Sequence, residues 1–246
     1  MSRVGIVTAL AREARALAPG RAGAADIGGI RIYRLGEALI AVSGMGWEAA
    51  LAGTRALRAA GATALASVGT AGALDPALGC AAIVLPEEVI SLEGAPVRAD
   101  PRWRQALERA LPRERICAGR LLSTPLPLGT RLDKAIAWRE THSVAVDMES
   151  AAVGRAAADA GLPFIAVRVI VDIAGEDLPA AVLAASGAAH PSLGKLLAGL
   201  ALAPLDVGAL MRLARRFRAA CAVLASIGEP GLPPWRALSG ADWEAS

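Results

Sequence analysis

Aromatic residues are scarce in this chain: five tryptophans, two phenylalanines and one tyrosine make up 3% of its 246 residues. A core of ordinary density must therefore be built from Ala, Val, Leu and Ile. Lysine is scarcer still, with Lys134 and Lys195 the only two among 26 basic residues. The net charge is +3 and the arginines are scattered, so nothing argues for nucleic acid as a partner. Cys80, Cys117 and Cys221 are odd in number and far apart. This pattern excludes a disulfide framework and a Cys/His metal knuckle, and reduced thiols in a cytoplasmic protein are the plain expectation. His142 and His190 fall in no nucleophile or metal pattern and read as structural or surface residues. No apolar run reaches the length of a membrane-spanning helix, because Arg, Asp and Glu interrupt each one. The opening MSRVGIVTALAREARAL carries charges in its first two turns and lacks a small-residue cleavage pattern. It does not read as a secretory signal.

What is present is apolar: 54% of residues, above the usual share for a soluble domain, which excludes disorder for most of the chain. The length suits one α/β domain, expected over 1–228, with a loose tail at 229–246. Period and punctuation predict alternating elements. Strands are expected at RVGIVTA (3–9), IRIYRL, ALIAVSG, ALASVGT (64–70), CAAIVLPEEVIS (80–91, broken at Pro86), 115–123, SVAVDM and PFIAVRVIVD (163–172). Helices are expected after the first strand, at 47–61, at 101–111, over RLDKAIAWRETH, over ESAAVGRAAADAG and through most of the remainder, with breaks at Pro191 and Pro204. This order predicts a central mixed, mostly parallel sheet flanked by helices on both faces, with its site at the C-terminal ends of the strands.

Three of those ends carry small or acidic residues: Ser43, Gly44 and Gly46; Gly69, Thr70 and Gly72 in an expected Gly-rich turn; and Asp172. GMGWEA fits G-x-G-x-x-A between a strand and a helix. As a dinucleotide fingerprint it lacks the acidic residue due at the end of the next strand. A tight strand–helix turn and an anion or ribose site at a helix N-terminus compete with that reading. Asp172 follows a run of mostly apolar residues, so it is either a desolvated carboxyl suited to proton donation or a helix cap. In AVDMESAAVG, Glu149 opens a helix, where the dipole favours an acid, and Met148 is expected to point away from Asp147. Taken alone, Glu13 is a solvated helix residue. There is no G-x-S-x-G, Walker or metal-ligand motif, and no cofactor is expected.

VGIVTALAREA, VSGMGWEAA, SVGTAGAL, VAVDMESAAV and FIAVRVIVD, in that order over most of residues 4–172, resemble the nucleoside phosphorylase/nucleosidase superfamily. The nearest branch is that of the methylthioadenosine/S-adenosylhomocysteine nucleosidases. The resemblance implies a nucleoside phosphorylase-like fold and cleavage of a purine N-glycosidic bond. It places the ribose-holding pair on Met148 and Glu149, and the aspartate that protonates purine N7 on Asp172. The water-activating glutamate falls on Glu13, a site hydroxyl on Thr70, and the arginine preceding the aspartate on Arg168. The Ser43–Gly46 and Gly69–Gly72 stretches would surround the acceptor, which is phosphate or water. Asp147 is expected to have a structural hydrogen-bonding role.

Three positions depart from the family pattern: Val171 replaces a small polar residue, Trp47 stands in the glycine turn, and Ser67 occupies the place of an arginine found in one phosphorylase branch. Within the superfamily, VDIAGEDLPAAVLAA and the Arg-rich, aromatic-poor composition look most like the hopanoid-associated phosphorylases. That likeness implies phosphate as acceptor, adenosylhopane as a lipid-linked nucleoside substrate and a homodimer or larger homo-oligomer. Peripheral contact with the inner membrane surface is implied through the segment 205–227, with Arg212, Arg215, Arg216 and Arg218 beside apolar positions. An ordinary packing helix with a basic outer face is the competing reading of that segment.

Overall fold

The computed structural model describes residues 3–20, 23–112, 115–180, 182–183, 207–228 and 235. Twelve strands among these form one sheet. Its centre is β5 (Ala64–Ala73), flanked by β1 (Val4–Thr8), β11 (Ser143–Asp147) and β12 (Phe164–Asp172). β4 (Ala38–Val42) pairs in parallel with β1, and β3 (Ile30–Leu35) and β2 (Gly23–Ile27) extend that edge antiparallel. On the other side, β10 (Arg120–Ser123) runs parallel to β11 and to β7 (Glu88–Ser91), and β8 (Val97–Arg98) closes the edge antiparallel to β7. β6 (Ile83–Val84) joins β12 to β9 (Ile116–Cys117).

The side-chain alternation of the central strands sorts the core into two layers. Ala64, Ala66 and Val68 of β5, with Ile165, Val167, Val169 and Val171 of β12, face one layer. It is covered by α1 (Ala11–Leu17), α3 (Pro101–Ala110) and the C-terminal half of α6 (Val207–Ile227). Leu65, Ala71 and Ala73 of β5, with Phe164, Ala166 and Ile170 of β12, face α2 (Trp47–Ala59) and α5 (Ser150–Asp159). With few aromatics, that second layer closes on Ala-to-Ala approach, and Ala50, Ala151, Ala152 and Ala157 are all buried there.

α4 (Arg131–Thr141) begins at Thr130, whose hydroxyl accepts from Asp133 N, and ends at His142 in the left-handed region. The first of these is an N-cap and the second a C-terminal reversal, which gives His142 the structural role expected of it.

The expected α/β order holds, with local corrections. The 115–123 strand is split into β9 and β10 at Gly119, whose φ of 129° no β-branched residue adopts comfortably. β2 and β8 were not foreseen, because GAADI and VR are too short or too polar to show an alternation. The breaks at Pro191 and Pro204 and the 229–246 tail lie outside the described residues, apart from Trp235. That indole is buried edge-on to Trp103, and its N–H donates to Ile227 O at 2.7 Å. Among the described residues no helix is long and apolar enough to cross a membrane.

Candidate active site

The site arises from a break in the partners of β5. One edge of that strand pairs with β1 over Ala64–Ser67 and resumes with β11 at Gly72–Ala73. The residues between have no strand neighbour on that edge, and a buried backbone N–H left there must find another acceptor. The Glu13 carboxylate supplies it. Glu13 Oε1 accepts from Thr70 N and from Thr70 Oγ1, both at 2.8 Å, and Oε2 accepts from Leu10 N at 3.0 Å. Glu13 is therefore buried at the start of α1 rather than solvated.

This corrects the expected Gly-rich turn. Gly69, Thr70 and Gly72 all lie inside β5. The glycines serve close approach instead of a reversal. A Cβ on Gly69 would lie 2.6 Å from Arg168 Nη1 and 3.0 Å from Glu13 Oε1, and one on Gly72 would lie 3.2 Å from Asp172 Oδ2.

Arg168 sits on β12 where the alternation calls for another apolar residue facing α5. It is 2% exposed. Its Nε donates to Asp147 Oδ2 at 2.8 Å, and Nη2 donates to Ser67 Oγ at 2.6 Å and Ser150 Oγ at 2.9 Å. Asp147 also accepts from Ser150 N at 3.0 Å and from the Ser123 hydroxyl. Asp147 thus has the structural role expected of it, and Ser67, one of the departures from the family pattern, belongs to this buried cluster.

Glu149 lies at the α5 N-terminus, 3.9 Å from Arg168, and its Oε1 accepts from Gly46 N at 2.9 Å. The glycine turn at the end of β4 therefore spends its amide on a carboxylate of the protein itself. Burial, aided by the Asp147 charge, raises the Glu149 carboxyl to about 7 against the opposing Arg168 cation and Gly46 amide.

Asp172 ends β12 just after a register shift that follows Ile170. Such a bulge re-aims the side chains beyond it. The carboxylate Oδ2 lies 2.7 Å from Lys134 Nζ. Burial raises the Asp172 carboxyl above the usual range, and Lys134 opposes that shift.

These groups surround one pocket of about 360 Å³. Glu13, Thr70, Gly72, Asp147, Met148, Glu149, Arg168 and Asp172 all line it, so Met148 and Asp147 reach the same cavity. Ser43, Gly44 and Gly46 do not line it, although Met45 does. The Ser43 hydroxyl donates to Thr8 O and Gly44 O instead. The far wall is apolar: Leu128 and Leu178, with Leu210, Leu213 and Phe217 from α6.

Sequence reasoning missed Lys134 and the α6 wall. The signal for Lys134 was its being one of two lysines in a chain whose cations are almost all arginine. The α6 residues carry no motif, only an apolar stripe shared by any packing helix.

Residues 3–203 match the profile of the phosphorylase superfamily. No curated protein sequence matches significantly. Among solved structures, a 5'-methylthioadenosine/S-adenosylhomocysteine nucleosidase from Helicobacter pylori, in complex with butyl-thio-DADMe-Immucillin-A, superposes with a TM-score of 0.71 at 16% identity, over 92% of this chain and 96% of its own. The corresponding nucleosidase from Neisseria meningitidis, in complex with methylthio-immucillin-A, gives 0.71 at 18% identity, over 94% and 98%. A futalosine hydrolase from Helicobacter pylori gives 0.69 at 17% identity, over 92% and 97%. At these identities the likeness speaks for the fold, and the profile match over most of the chain speaks for the family. The chain belongs to the phosphorylase superfamily, a family of nucleoside-cleaving enzymes.

Proposed function

We propose that the protein releases adenine from a nucleoside bearing a large apolar 5' substituent, with adenosylhopane as the candidate substrate. One observation carries the reading: Asp172 and Glu149, two buried carboxyls from opposite sides of β5, face a single cavity with Glu13 beside them. A ribosyl C–N bond breaks through an oxocarbenium-like state and expels a purine that leaves poorly as an anion. In this reading Asp172 protonates the base at N7 as the bond breaks. Glu149 accepts hydrogen bonds from the ribose hydroxyls and favours the positive charge developing on the sugar. Met148 lies under the ribose. Arg168 holds Asp147 in place and stands beside Glu149, its Nε and Nη2 donors turned into the core cluster while the residue also lines the pocket.

Leu210, Leu213 and Phe217 offer an apolar wall that fits a greasy 5' group. On the outer side of α6, Met211, Arg215 and Arg218 are exposed at i, i+4 and i+7, with Arg212 beside them. The reading includes peripheral contact of that face with an anionic membrane surface, and assembly as a homodimer or larger homo-oligomer.

The acceptor favoured by the geometry is water. Glu13 Oε1 has both lone pairs engaged by Thr70, whereas Oε2 has one left after Leu10 N. Among the described residues nothing else donates to Oε2, and Glu13 lines the pocket, which suits it to take a proton from water. Phosphate, implied by the likeness to the hopanoid-associated enzymes, is the rival acceptor. Among the described residues, Arg168 is the cation lining the pocket, and its Nε and Nη2 are already engaged by Asp147 and two serines. The deciding experiment measures adenine release from 5'-substituted adenosines with and without phosphate. Full release in phosphate-free buffer is expected. Release only with phosphate would reverse the acceptor, and no release from any nucleoside would end the enzyme reading.

The pH dependence follows from Glu149. Ribose binding needs its carboxylate form, so kcat/KM is expected to rise as pH rises through about 7. Stability moves the other way. The folded state holds this proton more tightly than the unfolded chain does, so the associated stabilisation is complete below the ordinary carboxylate range and is lost as pH rises through about 7. Initial rates and melting temperatures across pH 5 to 9 check both directions.

A further inference from the structure

We propose that Lys134 is the positioning residue of the acid: it holds the Asp172 carboxyl in place and balances the charge left there when the proton departs. The inference rests on the reading of Asp172 as proton donor. The Lys134 side chain is fully buried on α4. An ammonium has three N–H groups, and the structure provides three acceptors: Asp172 Oδ2 at 2.7 Å, Ile173 O at 3.0 Å and Glu176 O at 2.7 Å. Two of these are backbone carbonyls from the segment that directly follows Asp172. The cation is thus anchored by the loop it serves, and its third donor is aimed at the one carboxylate in that segment that lines the pocket.

Packing alone does not account for a lysine here. Ala135, Ile136 and Ala137 follow it in sequence, and a Leu or Met could fill the same volume without the cost of desolvating an ammonium. Asp172 faces Lys134 from α4, Arg216 from α6 and Glu176 on its own loop. Arg216 is held bidentately by Glu176, at 2.7 and 3.0 Å, so much of its charge is already met. Asp177, also near Lys134, accepts from Arg131 N. Lys134 is the cation in direct contact with the acid.

The chemical step balances as follows. The C–N electron pair goes to the departing purine, the Asp172 proton goes to a ring nitrogen of that purine, and Asp172 becomes a carboxylate against the Lys134 ammonium, while a water oxygen bonds to the sugar C1' and gives its proton to Glu13, which passes it to solvent. Solvent returns the proton once the base has left. Burial alone makes Asp172 reluctant to ionise; the adjacent ammonium makes it a stronger acid at the moment of donation.

Lys134→Met keeps the volume and removes the charge. Adenine release by this variant is expected to fall about ten- to a hundredfold in kcat. Its alkaline limb, where Asp172 loses the proton it must donate, is expected to move upward by about one pH unit or more. Introduced into Asp172→Asn, the same change is expected to cost no further rate, because no carboxylate remains to be served. Lys134→Ala is expected to recover part of its rate with added ethylammonium. An unmoved alkaline limb, or an equal loss in the Asp172→Asn background, would reduce Lys134 to a packing residue and overturn the inference. The wild-type assay runs alongside: if the wild type is active and these signatures are absent, only the Lys134 role falls. A wild type that releases no base overturns the Asp172 reading and this inference with it. Melting curves of each variant separate lost chemistry from lost folding.

Discussion

Asp172→Asn is expected to lower kcat for adenine release by about 10²- to 10⁴-fold, the range that a positioned general acid supplies, while nucleoside binding survives. The carboxamide oxygen can still accept from Lys134 Nζ, which lies 2.7 Å from Oδ2 in the wild type. The neighbouring loop should therefore keep its anchor. What the substitution removes is the proton. Glu149, Met148 and the apolar α6 wall are untouched, so the ground-state contacts proposed for ribose and 5' group are expected to persist. Single-turnover release measured beside calorimetric binding of the same nucleoside checks this: kcat should collapse and affinity should hold within a few-fold. Full activity in the variant would remove Asp172 from the acid role. Equal losses in rate and affinity would make it a binding residue instead.

Arg168→Met is expected to produce the largest loss of stability. Arg168 is the cation buried among Asp147, Glu149 and Glu13, all of which act on it electrostatically. Removing one partner from a buried ion pair typically costs about 3–5 kcal/mol, because the remaining charge is left without compensation. For a chain of this size that corresponds to a fall in Tm of roughly 10 °C. The neutral variant fills similar volume, so the loss reports charge more than cavity. Acid should relieve it. At pH 5 the raised Glu149 carboxyl is already protonated, and the gap in Tm between variant and wild type should narrow relative to pH 8. A gap that is the same at both pH values would point to packing. Base release should fall as well, since Glu149 loses the cation 3.9 Å away that opposes its protonation.

The two substitutions probe different kinds of legibility. Asp172 could be singled out from sequence because a carboxyl directly after a long apolar run is locally anomalous, and anomalies within one element are visible along the chain. Arg168 was legible only through the family resemblance, which did not give its direction. Whether an arginine in a buried strand turns toward substrate or into the core depends on which residues of other elements stand opposite. Here Asp147, Ser67 and Ser150 receive it, from β11, β5 and α5. Glu13 shows the reverse error. Its helical neighbourhood reads as solvated, and it is buried because β5 lacks a strand partner at Thr70 on its β1/β11 edge and needs a carboxylate to close the gap.

Local periodicity was enough to determine the α/β order, the strands β1, β5, β11 and β12, and the placing of acidic residues at the ends of β11 and β12, because alternation and capping act between residues close in sequence. The tertiary structure alone decided that the β5 glycines are points of close approach rather than a turn, that Gly46 gives its amide to Glu149, and that Lys134 meets Asp172. Each of these depends on where a bulge, a gap in a ladder and the end of a helix come together in space. Their partners lie on separate elements, and only the closing of the sheet and its helices brings them within hydrogen-bonding distance.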